Sequence, residues 1–132
     1  LCYCSTQSRN PFEIIKGLNV ILVFAPLIGV KGFYQYFQRN NIIYIDESLP
    51  YHEQQLVCAH ELGHMLLHKK SNALFMDAYT GFNMEKYELE ANKFAVELLV
   101  SDEIILENKE ITISKLSQMI GYNEELIKLK FK

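Results

Sequence analysis

The run CAHELGHMLLH, residues 58 to 68, sets three histidines and one glutamate in an otherwise apolar segment. His60 and His64 are four residues apart, so on a helix they share one face about one turn apart. That spacing lets two imidazoles converge on a single metal ion. Glu61 lies between them. In an HExxH arrangement the glutamate does not ligate but stands beside a metal-bound water as general base. The plainer alternative is two core-edge histidines and a solvated charge, which leaves the spacing unexplained.

His68 extends the pattern but falls too far along the helix to share the ion. Eight residues rise roughly 12 Å, whereas two nitrogens on one zinc lie at most about 4 Å apart. His68 is therefore expected to support a ligand from outside or to end the helix.

A third ligand must come from another segment, and MEKYELEANKFAVELL offers Glu85, Glu88, Glu90 and Glu97. On a helix, Met84, Tyr87, Ala91, Phe94, Ala95 and Leu98 form one apolar stripe. Glu88 falls within the margin of that stripe. Glu90 and Glu97 fall with Lys86 and Lys93 on the wetter side, and Glu85 lies beyond the other edge. A carboxylate turned toward a core needs a compensating partner, which a metal supplies; a cap or a salt bridge is the other reading of Glu88. Asn92, one turn on, is placed to orient a ligand by a hydrogen bond. Two imidazoles and one carboxylate leave the fourth position of a tetrahedral zinc open to water, which favours a catalytic site over a structural staple.

The elements that position these residues follow from local pattern. Asn10 as N-cap, Pro11 at the first helical position and Gly17 at the exit predict a short first helix. NVILVFAP, KGFYQYF and IIYID read as three strands, the last two joined by a turn at Asn40 and Asn41. A helix is expected from Pro50 to about Lys69, with Ser48 as its N-cap and the two late lysines suiting its dipole. Residues 71–83 read as a loop or a strand with turns. A strong helix follows from Met84 to Val100, then short terminal helices broken near Gly121 and recapped by Asn123. Gly63 leaves room for a second helix to approach the first closely. Strands first and helices later indicate an α+β domain: a short mixed or antiparallel sheet packed on the HExxH helix and on a second, ligand-bearing helix.

HELGHMLLH followed by ELEANKFAVELL resembles the ImmA/IrrE family of metallo-endopeptidases, carried by phages, mobile elements and bacterial chromosomes. NPFEIIKGLNV, KGFY and IIYID extend the likeness more weakly, over roughly residues 10 to 100. The resemblance implies a zincin-like fold, zinc held by His60, His64 and Glu88, and Glu61 as the catalytic residue. Glu88 with Asn92 matches the third-ligand pattern of a glutamate followed four residues on by Asp or Asn. It further implies a protein substrate, a helix-turn-helix transcriptional repressor whose cleavage relieves repression. Family members often carry proline shortly after the LL pair, where this chain has Ser101; that touches the helix exit and not the metal residues.

Composition bounds the rest. The 132 residues are 49% hydrophobic and 22% charged, with a net charge of -3. One domain is expected over 1–132, with a poorly determined terminus at 1–9 and a helical extension at 101–132. The net charge gives no electrostatic footprint for nonspecific nucleic-acid binding, and nucleic acid is not an expected partner. LNVILVFAPLIGV is too short to span a bilayer and contains Pro26, and Glu13 and Lys16 ahead of it do not fit a secretory signal. A cytoplasmic location is expected. Cys2, Cys4 and Cys58 cannot all pair within the chain, which suits a reducing compartment, and free thiols are the expected state of Cys2 and Cys4.

Tyr51, His52, His68, Tyr79 and Tyr122 are candidates for stabilising an oxyanion, and sequence does not rank them. A non-catalytic regulator is the alternative reading. ISKLSQMIGYNEELIKLKFK loosely resembles a helix-turn-helix with basic Lys128, Lys130 and Lys132, and such a protein would bind a repressor or DNA without cutting. An intact Glu61 favours the enzyme.

Overall fold

In the computed structural model, residues 9–67 and 84–131 are described. Helix α1, Pro11–Gly17, begins where Asn10 Oδ1 accepts the Phe12 N–H at 3.0 Å, and it closes on Leu18 rather than at Gly17 itself. Strands β1 (Ile21–Ala25), β2 (Gly32–Phe37) and β3 (Asn40–Asp46) follow. They form a mixed sheet in the order β1-β3-β2, β1 parallel and β2 antiparallel to β3.

The β2–β3 turn departs from the expected Asn40–Asn41 position. Phe37 pairs with Asn40, so the two linking residues are Gln38 and Arg39, at φ of 51° and 69°. Two consecutive left-handed residues give the twist that a two-residue hairpin requires. Both asparagines serve the strand instead: Asn40 Nδ2 donates to the Gln38 carbonyl at 3.2 Å, and Asn41 Oδ1 accepts from the Tyr34 hydroxyl at 2.6 Å.

Helix α2 spans Tyr51–Leu67. Its start is also one step from expectation, because Ser48 does not cap it. The Ser48 hydroxyl donates to Asp46 Oδ2 at 3.0 Å, while the Pro50 carbonyl accepts the first helical bonds, from Glu53 and Gln54. Helices α3 (Met84–Leu99), α4 (Asp102–Glu107), α5 (Ile113–Ile120) and α6 (Glu124–Lys128) complete the helical half, ending in a 3-10 turn at Leu129–Phe131. Gly121, at φ 95°, ends α5, and Asn123 Oδ1 caps α6 by accepting the Leu126 N–H, as their residue types predict.

One core lies between sheet and helices. Ile43 and Ile45 of β3 meet Val57, Cys58, Leu62 and Met65 of α2, with Ile15 from α1. Gly32 lets β2 pass close to α2: a Cβ there would collide with the Val57 side chain and stand 2.6 Å from the Tyr44 carbonyl. A second core joins Val96 and Val100 of α3 to Leu116, Tyr122, Leu126 and Ile127. Helix α3 thus sits between the two cores, and α2 packs against it through small residues. A Cβ on Gly63 would lie 3.1 to 3.2 Å from the Phe94 ring and Cβ, and Ala59, Ala91 and Ala95 are fully buried. This close approach brings polar side chains of the two helices into contact. No helix among the described residues is long and apolar enough to cross a membrane.

Candidate metal centre

His60 and His64 project from one face of α2 toward α3, their rings 4.6 Å apart and nearly perpendicular. Glu88 comes to meet them. Its Oε1 is 2.9 Å from His60 Nε2 and 3.3 Å from His64 Nε2, and the two nitrogens are 3.1 Å apart. All three ligand atoms lie within 4.8 Å of one another. In a tetrahedral zinc site with bonds of about 2.0–2.1 Å, neighbouring ligand atoms stand about 3.3 Å apart, so the spacing fits one small divalent cation. Protons can bridge such contacts only one at a time, whereas a central cation satisfies all three lone pairs together.

Asn92 fixes the state of His60. Its Oδ1 is 2.8 Å from His60 Nδ1, and an Nδ1–H donating there leaves the Nε2 lone pair facing Glu88 and His64. Tyr87, 3% exposed, lies flat on the other imidazole, its ring 4.1 Å from that of His64 at 18°. Among the glutamates weighed from sequence, only Glu88 joins the histidines. Glu85 is exposed, and Glu97 is held by Lys93 and Lys130 at 3.4 and 2.9 Å.

Glu61 stands beside this trio and outside it, with Oε2 4.0 Å from His60 Nε2. It is 7% exposed, and burial pushes its pKa up to about 7, with the His60 charge opposing, the Glu88 charge adding, and a hydrogen bond from the Tyr34 main chain opposing. That bond shows where the β2 backbone points. Every β2 residue from Gly32 to Phe37 stands opposite a β3 residue, Tyr34 opposite Ile43, but in an antiparallel pair alternate N–H groups turn away from the partner strand, and that of Tyr34 meets Glu61.

Burial alone would lower His60, but the Glu88 hydrogen bond, the charges of Glu61 and Glu88, and Asn92 leave its pKa raised. Glu88 is correspondingly lowered, chiefly by His60.

Three oxyanion candidates lie elsewhere. Tyr51 packs on Phe12 and accepts from Asn10 at 3.3 Å; His52 faces the Gly121 carbonyl at 3.2 Å; Tyr122 donates to the His52 carbonyl at 3.2 Å. All three gather at the start of α2, roughly 12 Å of helix from His60. His68 and Tyr79 lie outside the described residues, as do Cys2, Cys4 and the expected loop at 71–83. Tyr34 and Tyr87 escape the sequence reading, the first because a main-chain N–H leaves no mark in residue type. Tyr87 carries a weak signal, since it precedes Glu88 on the buried stripe.

Comparison with known proteins agrees with this geometry. The chain is 40% identical over 127 residues to the uncharacterized immunity region protein 2 of Bacillus phage phi105, covering 94% of this chain and 80% of the relative. It is 31% identical over 102 residues to the metallopeptidase ImmA of Bacillus subtilis (strain 168), covering 76% of this chain and 59% of that protein. The profile of the Peptidase_M78 family, the IrrE N-terminal-like domain, matches residues 16–128. Matched over most of its length and carrying a His, His, Glu cluster suited to a metal ion, the chain belongs to the Peptidase_M78 family of metallopeptidases.

Proposed function

We propose that this chain is a zinc-dependent endopeptidase that cuts a helix-turn-helix repressor and so relieves repression. The observation that carries the reading is the convergence of His60 Nε2, His64 Nε2 and Glu88 Oε1 beside a buried Glu61. Zinc held by these three atoms would polarise a scissile carbonyl and acidify a water.

The remaining steps belong to the protein's own groups. Glu61, buried beside the trio, accepts the proton released by the attacking water and returns it to the leaving amine. The Tyr34 N–H holds that carboxylate in place from the sheet. Among the described residues β2 lies at the sheet edge nearest Glu61, so an extended peptide can add to it as a strand, its main chain aligned past the base. Close packing of α2 on α3 keeps the ligand atoms in register.

A substrate from an immunity circuit is supported by the name of the phage relative, an immunity region protein. What counts against the DNA-binding alternative is the chemistry of the terminal helices. Helix α6 opens with Glu124 and Glu125 and buries Leu126 and Ile127. Lys128 pairs with Glu125, and Lys130 with Glu97 and Asp102. The test is to incubate zinc-loaded protein, and in parallel its Glu61→Gln variant, with the product of the adjacent gene. Fragments from the wild type alone support the reading; fragments from both, or from neither with zinc bound, contradict it.

A further inference from the structure

We infer that Tyr87 is a positioning residue for the metal centre, holding the His64 ring by stacking as Asn92 holds the His60 ring by hydrogen bonding. The inference rests on the ligand assignment proposed above. Helix α3 then contributes three neighbouring functions: Glu88 as ligand, Asn92 one turn later as partner of His60, and Tyr87 as the wall behind His64.

The geometry gives the reason. Rotation of an imidazole about its Cβ–Cγ bond has a broad minimum, so the side chain alone does not fix the direction of its lone pair. His60 is fixed by the 2.8 Å contact between Nδ1 and Asn92 Oδ1. His64 lies face to face with Tyr87 at 4.1 Å and 18°, while His60 meets its ring edge to face at 88°. Turning the His64 ring out of this plane drives its edge into the phenol. Both residues are buried, His64 4% and Tyr87 3% exposed, so neither ring has solvent to swing into. The stack therefore aims His64 Nε2 at the point shared with His60 and Glu88. The stack itself uses the flat face of an aromatic ring, which phenylalanine also offers.

Cobalt(II) affinity, measured by competition with a chromophoric chelator, and the cobalt absorption bands test this in the wild type, Tyr87→Phe and Tyr87→Leu. Tyr87→Phe is expected to match the wild type in both. Tyr87→Leu is expected to bind roughly 10-fold more weakly or worse, the usual scale for losing a group that orients a ligand, with altered bands. Leucine binding cobalt as well as tyrosine, with unchanged bands, overturns the inference, as does phenylalanine losing as much as leucine. No cobalt binding by the wild type overturns the ligand assignment itself. Should Tyr87→Leu not fold, the wild-type proton spectrum decides: stacking shifts the His64 ring protons upfield of those of His60, and the absence of that shift overturns the inference.

Discussion

Helix α3 carries two carboxylate clusters about two and a half turns apart, one around Glu97 and one around Glu88, and their partners differ in kind. Glu97 meets Lys130 at 2.9 Å and Lys93 at 3.4 Å, and Lys130 reaches on to Asp102 at 2.8 Å. There the protein provides its own cations, and the cluster ties the C-terminal turn to α3, helped by Lys93 donating to the Leu129 carbonyl. Glu88 meets two imidazoles, groups that offer lone pairs at neutral pH as readily as protons. Acidic residues on one helix thus become a fastening when lysines answer them. Where imidazoles answer, they make a place for a cation from outside.

The largest effect expected from that difference is kinetic. Glu61→Gln, which removes a proton acceptor and no ligand, should cut peptide hydrolysis by about 10²–10⁴-fold while metal affinity stays close to wild type, as single-turnover cleavage and metal titration would show. Next comes metal-linked stability. With zinc at about 100 times its dissociation constant, the native state gains about 2.7 kcal/mol, seen as a rise in denaturant midpoint that a chelator removes. Glu88→Gln should lose most of that gain, and Glu97→Gln should keep it. Asn92→Ala should weaken zinc roughly 10–100-fold by freeing the His60 ring, measured by chelator competition.

The smallest effect lies at the other cluster. Lys130→Met should cost about 1 kcal/mol, since Glu97 is half-exposed and Asp102 exposed while methionine keeps the apolar contacts of the buried Lys130 stem, and should leave zinc affinity unchanged. This cluster also predicts a pH dependence. The Lys130 hydrogen bond, opposed by slight burial and aided by Lys93, lowers the Glu97 pKa from 4.5. A lowered folded pKa means that its stabilisation is complete above the unfolded value of 4.5 and is lost as pH falls through the depressed one. Urea midpoints followed from neutral pH into that acidic window should fall less steeply in Lys130→Met than in the wild type.

What the sequence made legible follows period and residue type. The convergence of His60, His64 and Glu88 is legible because helical spacing fixes a face, and a glutamate at the edge of an apolar stripe asks for a partner. Capping residues located α1, α5 and α6 for the same reason, since Asn10, Gly121 and Asn123 answer local backbone needs. Contacts set by three-dimensional closure were harder to read. The hairpin turn fell on Gln38 and Arg39, residues without a strong turn preference, because the strand register required it. Tyr87 looked like core because its ring is core on one side; only the path of α2 places His64 against it. The parallel pairing of β1 with β3 likewise depends on the path of the chain and not on strand composition.

The most direct test is anomalous diffraction at the zinc edge from crystals of the zinc-loaded protein. One peak is predicted, about 2.0–2.2 Å from His60 Nε2, His64 Nε2 and a Glu88 oxygen, with the Glu61 carboxylate outside the coordination shell. A peak that omits Glu88, or one that Glu61 ligates directly, would contradict the account.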